Sequence, residues 1–222
     1  MCIRDRYVTA AKQLVSLKEV AIDMPAGPSE VEVIADESAN PAFIAADFLS
    51  QAEHGVDSQA MLVTASESVV EPVMQAIREQ LDRLPRKEIT EKSLSHSRLI
   101  VLKDKQEVID FTNLYAPEHL IIQTADYADI AGQIENAGSV FMGPYTPESA
   151  GDYASGTNHT LPTNGYAKAY SGVNLDSFIK KITFQEITAD GIKRLGETIR
   201  TMAANEQLDA HKNAVTIRLK TL

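Results

Sequence analysis

Between residues 29 and 142 the apolar positions switch repeatedly between two spacings. Short β-branched or wholly apolar runs at 29–35 (SEVEVIA), 60–64 (AMLVT), 98–102, 119–123 and 139–142 predict strands. Between the first two, Asn40 before Pro41 predicts a capped helix that runs to about His54 and stops at Gly55. Val69, Val70, Val73, Ile77 and Leu81 keep helical spacing over 67–84, ending at Pro85. Further helices are expected over 7–15, 87–96, 105–115 and 127–136. Strands that alternate with helices pair in parallel and carry helices on both faces, so the fold class is α/β.

From 143 to 172 the period stops. This stretch is rich in Pro, Gly, Ser and Asn, and an irregular segment of that length inside a compact chain is often functional. Residues 175–188 read as a strand or helix connector, followed by helices over 189–204 and 207–219. Met1–Arg6 fit nothing that follows and are expected to be an assembly artefact; the abrupt start suggests a larger parent.

Composition narrows the function classes. The net charge of -10 repels phosphate backbones, so a nucleic-acid partner is not expected. No apolar run approaches the roughly 20 residues that span a bilayer, and the start lacks the apolar core of a secretory signal. No membrane partner is therefore expected, and the expected compartment is the cytoplasm. Cys2 is the single cysteine, so an internal disulfide is impossible and any zinc must take nitrogen and oxygen donors.

Four polar clusters could carry chemistry. Gln51 and His54 are three residues apart at a helix end, able to face one site or simply to face water. Glu118 and His119 open a strand and can handle protons if a turn brings them together; otherwise they are ordinary loop residues. Both clusters lie at the end of a predicted element, where α/β proteins place ligands. Asp152 sits in the segment Glu148–His159, whose glycines permit close backbone approach; it is a metal ligand, a cap or solvated, and His159 is a ligand or a loop hydrogen bonder. Glu206 and His211 would lie about 140° apart on one straight helix, so one shared site needs a helix start or kink between them. His96 has no partners in sequence and reads as surface.

Six collinear segments carry a resemblance: DMPAGPSEV (23–31), LSQAEHG (49–55), APEHLI (116–121), GSVFMG (138–143), PESAGDYASGTNHTLPT (147–163) and AHKNAV (210–215). Together they resemble the C-terminal half of histidinol dehydrogenases, from Tyr7 to the chain's end. The resemblance implies an incomplete Rossmann-like parallel sheet with flanking helices and a C-terminal helical dimerisation extension. It implies zinc held by Gln51, His54, Asp152 and a subunit-crossing His211, and proton transfer by Glu118 and His119. It also implies substrate binding by Ser29 and Glu206 together with those ligands and carriers. The implied reaction takes histidinol through an aldehyde to histidine with two NAD in turn, in a homodimer with shared sites.

The resemblance also locates what is missing. The family carries about as much sequence again before Tyr7, including much of the NAD-binding surface and a Gly-Pro-Gly-Asn turn where Met1–Arg6 stand here. No phosphate-cradling glycine fingerprint occurs in this chain, so no residue is assigned to the cofactor. The expected organisation is a remnant of the preceding domain over 1–30, an α/β domain with the zinc and substrate site over 31–172, and helices reaching the partner over 173–222. Alone, the fragment is expected to be inactive. Competing readings are a zinc hydrolase, with Glu118 activating metal-bound water, and a non-catalytic metal-binding or dimerisation module.

Overall fold

The computed structural model describes residues 7–222, so the expectation for Met1–Arg6 lies outside the described residues. After the two-turn helix α1 (Thr9–Ser16), five strands form a single parallel sheet: β1 (Glu30–Ala35), β2 (Gln59–Thr64), β3 (Arg98–Val101), β4 (His119–Gln123) and β5 (Ser139–Met142). Their order is β3-β2-β1-β4-β5. The chain winds outward from β1 to β3 and crosses back to pair β4 with β1, where Val31 lies opposite His119. This is the doubly wound α/β arrangement that the alternating pattern predicts.

The central strand β1 is buried along its whole length, whereas the edge strand β3 is not. Alternate residues of β1 therefore feed two cores. Val31, Val33 and Ala35 face α2 (Pro41–Ala52) and α3 (Val70–Leu81), where Ile44, Phe48 and Val73 fill one layer; Leu94 of α4 (Lys87–Leu94) packs at its margin. Ile34 faces the opposite layer with Val108 and Ile109 of α5 (Lys105–Tyr115) and Ile130 of α6 (Tyr127–Ala131).

The helix starts follow the sequence signals. Asn40 caps α2 by accepting from Ala42 N at 2.9 Å, with Pro41 in the first turn. Asp104 caps α5 through Glu107 N at 3.0 Å. Two expectations change. The helix expected over 127–136 stops at Ala131, because Asn113 on α5 captures the backbone beyond it, accepting from Glu135 N at 2.7 Å and donating to Gln133 O at 3.0 Å. The stretch 143–172 is not wholly irregular: it holds α7 (Glu148–Tyr153), whose sequence ESAGDY has no apolar face to announce it.

The chain divides into two compact units, one ending at Ile179 and the other spanning Lys180–Leu222. The second contains α8 (Ala189–Asn205) and α9 (Asp209–Leu219). They pack where Gly196 meets Leu219 so closely that an added Cβ would lie 2.7 Å from its side chain. Gln207, at φ 61°, breaks the path between α8 and α9, so Glu206 and His211 do not share a straight helix. No helix among the described residues is long and apolar enough to cross a membrane.

One buried carboxyl in the sheet has a measurable consequence. Glu32 on β1 is fully buried, accepts a hydrogen bond from Thr112 Oγ1 and leaves Oε2 without a partner. Burial pushes its carboxyl up to about 8, against the opposing Thr112 bond. Because the folded state holds this proton more tightly than the unfolded chain, the contribution is fully present below the unfolded value and is lost as pH rises towards 8. Glu32→Gln in the complete protein is expected to raise stability at pH 8 by about 1–3 kcal/mol relative to its effect at pH 5. Thermal unfolding of both proteins at the two pH values checks it; an equal shift at both contradicts it.

Candidate active site and metal cluster

Most of the candidate residues of the first unit gather at the amino edge of the sheet. His119 is the first residue of β4, Glu118 precedes it, and Ser29 precedes the first residue of β1. Gln51 lies in the last turn of α2, and His54 follows just past the helix end. In doubly wound sheets ligands bind outside the carboxyl ends of the strands. Here the carboxyl edge carries a separate cleft of about 460 Å³ lined by Asp36, Lys105, Thr124 and Asp126, which contains none of the candidates. The expectation that the candidates lie where α/β sheets place ligands is corrected accordingly.

Glu118 and His119 would face apart in a straight strand; the backbone before them turns. Ala116 ends α5 in the left-handed region at φ 56°, and Pro117 follows. Glu118 therefore stands outside the ladder, and its Oε2 accepts from Glu30 N at 2.8 Å while lying 3.5 Å from His119 Nδ1. His119 Nδ1 is 3.0 Å from the Glu30 carbonyl oxygen. A carbonyl only accepts, so Nδ1 carries the proton and the second ring nitrogen is the free one. That atom, Nε2, is buried without a hydrogen-bond partner. Burial alone would depress the imidazole, but the Glu118 carboxylate outweighs it and raises His119 to about 9.

Gly138 holds this pair in place. An added Cβ would sit 2.5 Å from the Glu118 carbonyl oxygen and 3.1 Å from Leu161 Cβ, and backbone cannot step aside. Gly138→Ala is expected to displace Glu118 and His119 and to lower kcat of the complete protein at least tenfold, or about 1.4 kcal/mol in barrier. Steady-state kinetics check this, with near-normal turnover as the contrary result.

The second group forms where the chain returns along the α2 face after β5. Gly151 on α7 packs on Phe141 of β5, so tightly that an added Cβ would lie 2.6 Å from the ring. Phe141 in turn lies against His119, with ring centroids 5.9 Å apart. This close approach sets Glu148 and Asp152, one turn apart on α7, beside His54. Donor atoms of His54, Glu148 and Asp152 all lie within 4.8 Å of one another, and His54 Nε2 is 3.9 Å from Glu148 Oε1. Burial pushes Glu148 up to about 7, with the His119 charge opposing and Asp152 and Glu118 reinforcing. His54 is lowered by burial, against the pull of Asp152 and Glu118.

Gln51, three residues before His54, lies against the acid–imidazole pair. It is fully buried, its Nε2 lies 3.5 Å from Glu118 Oε2 and 3.4 Å from His119 Nδ1, and its Oε1 has no hydrogen-bond partner. A buried carbonyl oxygen left without a donor suits a cation. With imidazole, amide and carboxylate donors, the group fits a borderline divalent metal such as zinc. Glu148 is the residue that sequence reasoning missed as a donor. Its spacing of four from Asp152 was the available signal, because such spacing puts both acids on one helix face.

Ser29 is buried, and its carbonyl accepts from Gln59 N at 3.0 Å. Glu30, beside it, accepts from Asn164 N at 3.0 Å and so ties the long loop to the sheet edge. Burial raises the Glu30 carboxyl to about 7 despite the Asn164 bond, with Glu118 adding to the rise. His159 is exposed on the loop and His96 is exposed elsewhere. Glu206 and His211 are both exposed in the second unit.

The fold and site define a doubly wound α/β domain with a buried acid–imidazole pair beside a potential metal-donor cluster. The family model described as histidinol dehydrogenase matches residues 5–219. A histidinol dehydrogenase of Bacteroides fragilis is 70% identical over 218 residues, covering 98% of this chain and 51% of the relative. The chloroplastic histidinol dehydrogenase of Arabidopsis thaliana is 58% identical over 221 residues, covering 98% of this chain and 47% of the relative. The crystal structure of histidinol dehydrogenase from Elizabethkingia anophelis superposes with a TM-score of 0.93 at 58% identity, over 97% of this chain and 50% of that one. The chain belongs to the histidinol dehydrogenase family. It spans about half the length of the curated relatives it matches.

Proposed function

We propose that the complete protein oxidises histidinol to histidine with NAD, and that this chain supplies its zinc and proton-handling half. The observation that carries the reading is the amino-edge group itself, a metal-donor cluster beside an imidazole whose free nitrogen is buried and unpartnered. Gln51, His54 and Asp152 would hold zinc, completed by His211 from a second copy; Ser29 and Glu206 would contact substrate. When bound, zinc would orient the substrate and NAD would take the hydride in each of two successive oxidations.

The chain's own residues would move the protons. His119 accepts the alcohol proton at Nε2 while its Nδ1–H stays on the Glu30 carbonyl. Glu118 balances the resulting imidazolium across 3.5 Å. Its carboxylate then takes a proton from the water that adds to the aldehyde while the His119 imidazolium returns one to the carbonyl oxygen, giving the hydrate and a neutral ring for the second oxidation. The surrounding walls, with Phe141 on the His119 ring, keep bulk water from the pair. Glu206 and His211 are exposed on the second unit, which leaves both side chains accessible to a second copy.

The chain alone, residues 1–222, is expected to form no NADH from histidinol with zinc present, because the reading assigns the cofactor surface to the other half. The complete protein is expected to form two NADH per histidinol. Absorbance of reduced cofactor measures both, and a complete protein that binds zinc yet leaves NAD unreduced contradicts the proposal.

A further inference from the structure

Glu148 lies outside the donor set that the family resemblance implies, yet the fold buries it at the centre of the cluster. It is 2% exposed, with His54 Nε2 at 3.9 Å from Oε1 and Ser50 Oγ at 3.5 Å from Oε2. Neither distance is that of a strong hydrogen bond. A charge-assisted imidazole–carboxylate bond would be about 2.7–2.9 Å. Donors that share a tetrahedral zinc at about 2.0–2.2 Å lie about 3.4 Å apart. The 3.9 Å gap is thus too wide for a hydrogen bond and about half an ångström wider than a shared ion requires.

Asp152 stands one helical turn from Glu148, with its own donor inside the same 4.8 Å cluster. Two carboxylates forced together by a helix face repel unless a cation joins them. Gly151 enforces the juxtaposition, since it lets α7 press on Phe141. Independently, Gln51, in the last turn of the helix that His54 follows, has a fully buried side-chain carbonyl oxygen without a partner.

We propose that Glu148 is a direct donor to the divalent ion of the substrate-free site, alongside His54 and Asp152. The inference rests on the functional reading in placing an ion there at all. Two carboxylates then match the charge of a divalent cation, and the ion draws α7 towards the end of α2. Glu148 thereby links the position of α7 to metal loading.

The test uses the complete protein, loaded with cobalt(II) in place of zinc, as wild type, Glu148→Gln and Glu148→Asp. Glu148→Gln keeps the shape and removes the charge; Glu148→Asp keeps the charge and withdraws it by one methylene. The expected result is an altered visible cobalt spectrum in both variants, with zinc held at least about tenfold more weakly by Glu148→Gln in chelator competition and by an intermediate factor in Glu148→Asp. Circular dichroism and molecular mass verify folding, and if Glu148→Gln does not fold, the Glu148→Asp spectrum decides. A wild-type cobalt spectrum in the folded variant overturns the proposal, even if zinc affinity falls, because Glu148 would then act from outside the coordination sphere. A wild-type protein that binds cobalt but leaves NAD unreduced sinks the functional reading alone. One that binds no metal sinks both.

Discussion

His119→Asn in the complete protein is expected to lower kcat for NADH formation by about 100- to 10,000-fold while zinc content stays at the wild-type level. The two ring nitrogens differ in what they bond. Nδ1 is committed to the Glu30 carbonyl at 3.0 Å, which leaves Nε2 as the sole basic atom, buried and without a partner. Asparagine can preserve the contact to Glu30 but brings no basic nitrogen to the Nε2 position. Glu118 raises the imidazole to about 9, so at neutral pH the ring is charged until positive charge enters the site. A nearby divalent ion disfavours imidazolium and frees the base. Kinetics with matched metal analysis check the prediction; a His119→Asn protein within tenfold of wild type contradicts it.

His54→Ala is expected to weaken zinc by more than about 100-fold, beyond what loss of a supporting outer residue costs, and to abolish turnover at ordinary zinc concentrations. Among the described residues of the cluster, His54 brings the one imidazole beside the Glu148 and Asp152 carboxylates, so its loss would leave His211 of a second copy as the sole imidazole of the proposed site. Removing it leaves two acids facing each other at the end of α2 with one donor fewer. The remaining site prefers harder cations, so magnesium or calcium should compete better than in wild type. Chelator competition and metal analysis of the purified variant are decisive. Retention of stoichiometric zinc by His54→Ala places the ion elsewhere.

How much of this was legible depended on whether a residue's neighbours were local. Asn40 and Pro41 announced α2, and the apolar run HLIIQ matched β4 from His119 to Gln123, because caps and strands are written in adjacent residues. Gln51 and His54 were visible as candidates through their helical spacing. Their meeting with Glu118 and His119 was not, since it depends on β1 pairing with β4 and on Glu30 lending its backbone to both side chains. Convergence of Glu118 and His119 needed the left-handed turn at Ala116, an alanine that carries no such signal. Glu148 stayed hidden because α7 lacks a hydrophobic period and its position is set by Gly151 on Phe141, a contact between distant residues. The choice of sheet edge was equally unreadable: strand order follows from pairing, and the general preference for carboxyl ends pointed to the other edge.

Whether the amino-edge group is a metal centre can be seen in crystals. Anomalous scattering at the zinc absorption edge from crystals of the complete protein measures this directly. A single strong peak is expected at about 2.0–2.2 Å from donor atoms of His54 and Asp152, within reach of Gln51. A peak in the carboxyl-edge cleft near Asp36 and Asp126, or none at the amino edge of a zinc-replete and active protein, would contradict it.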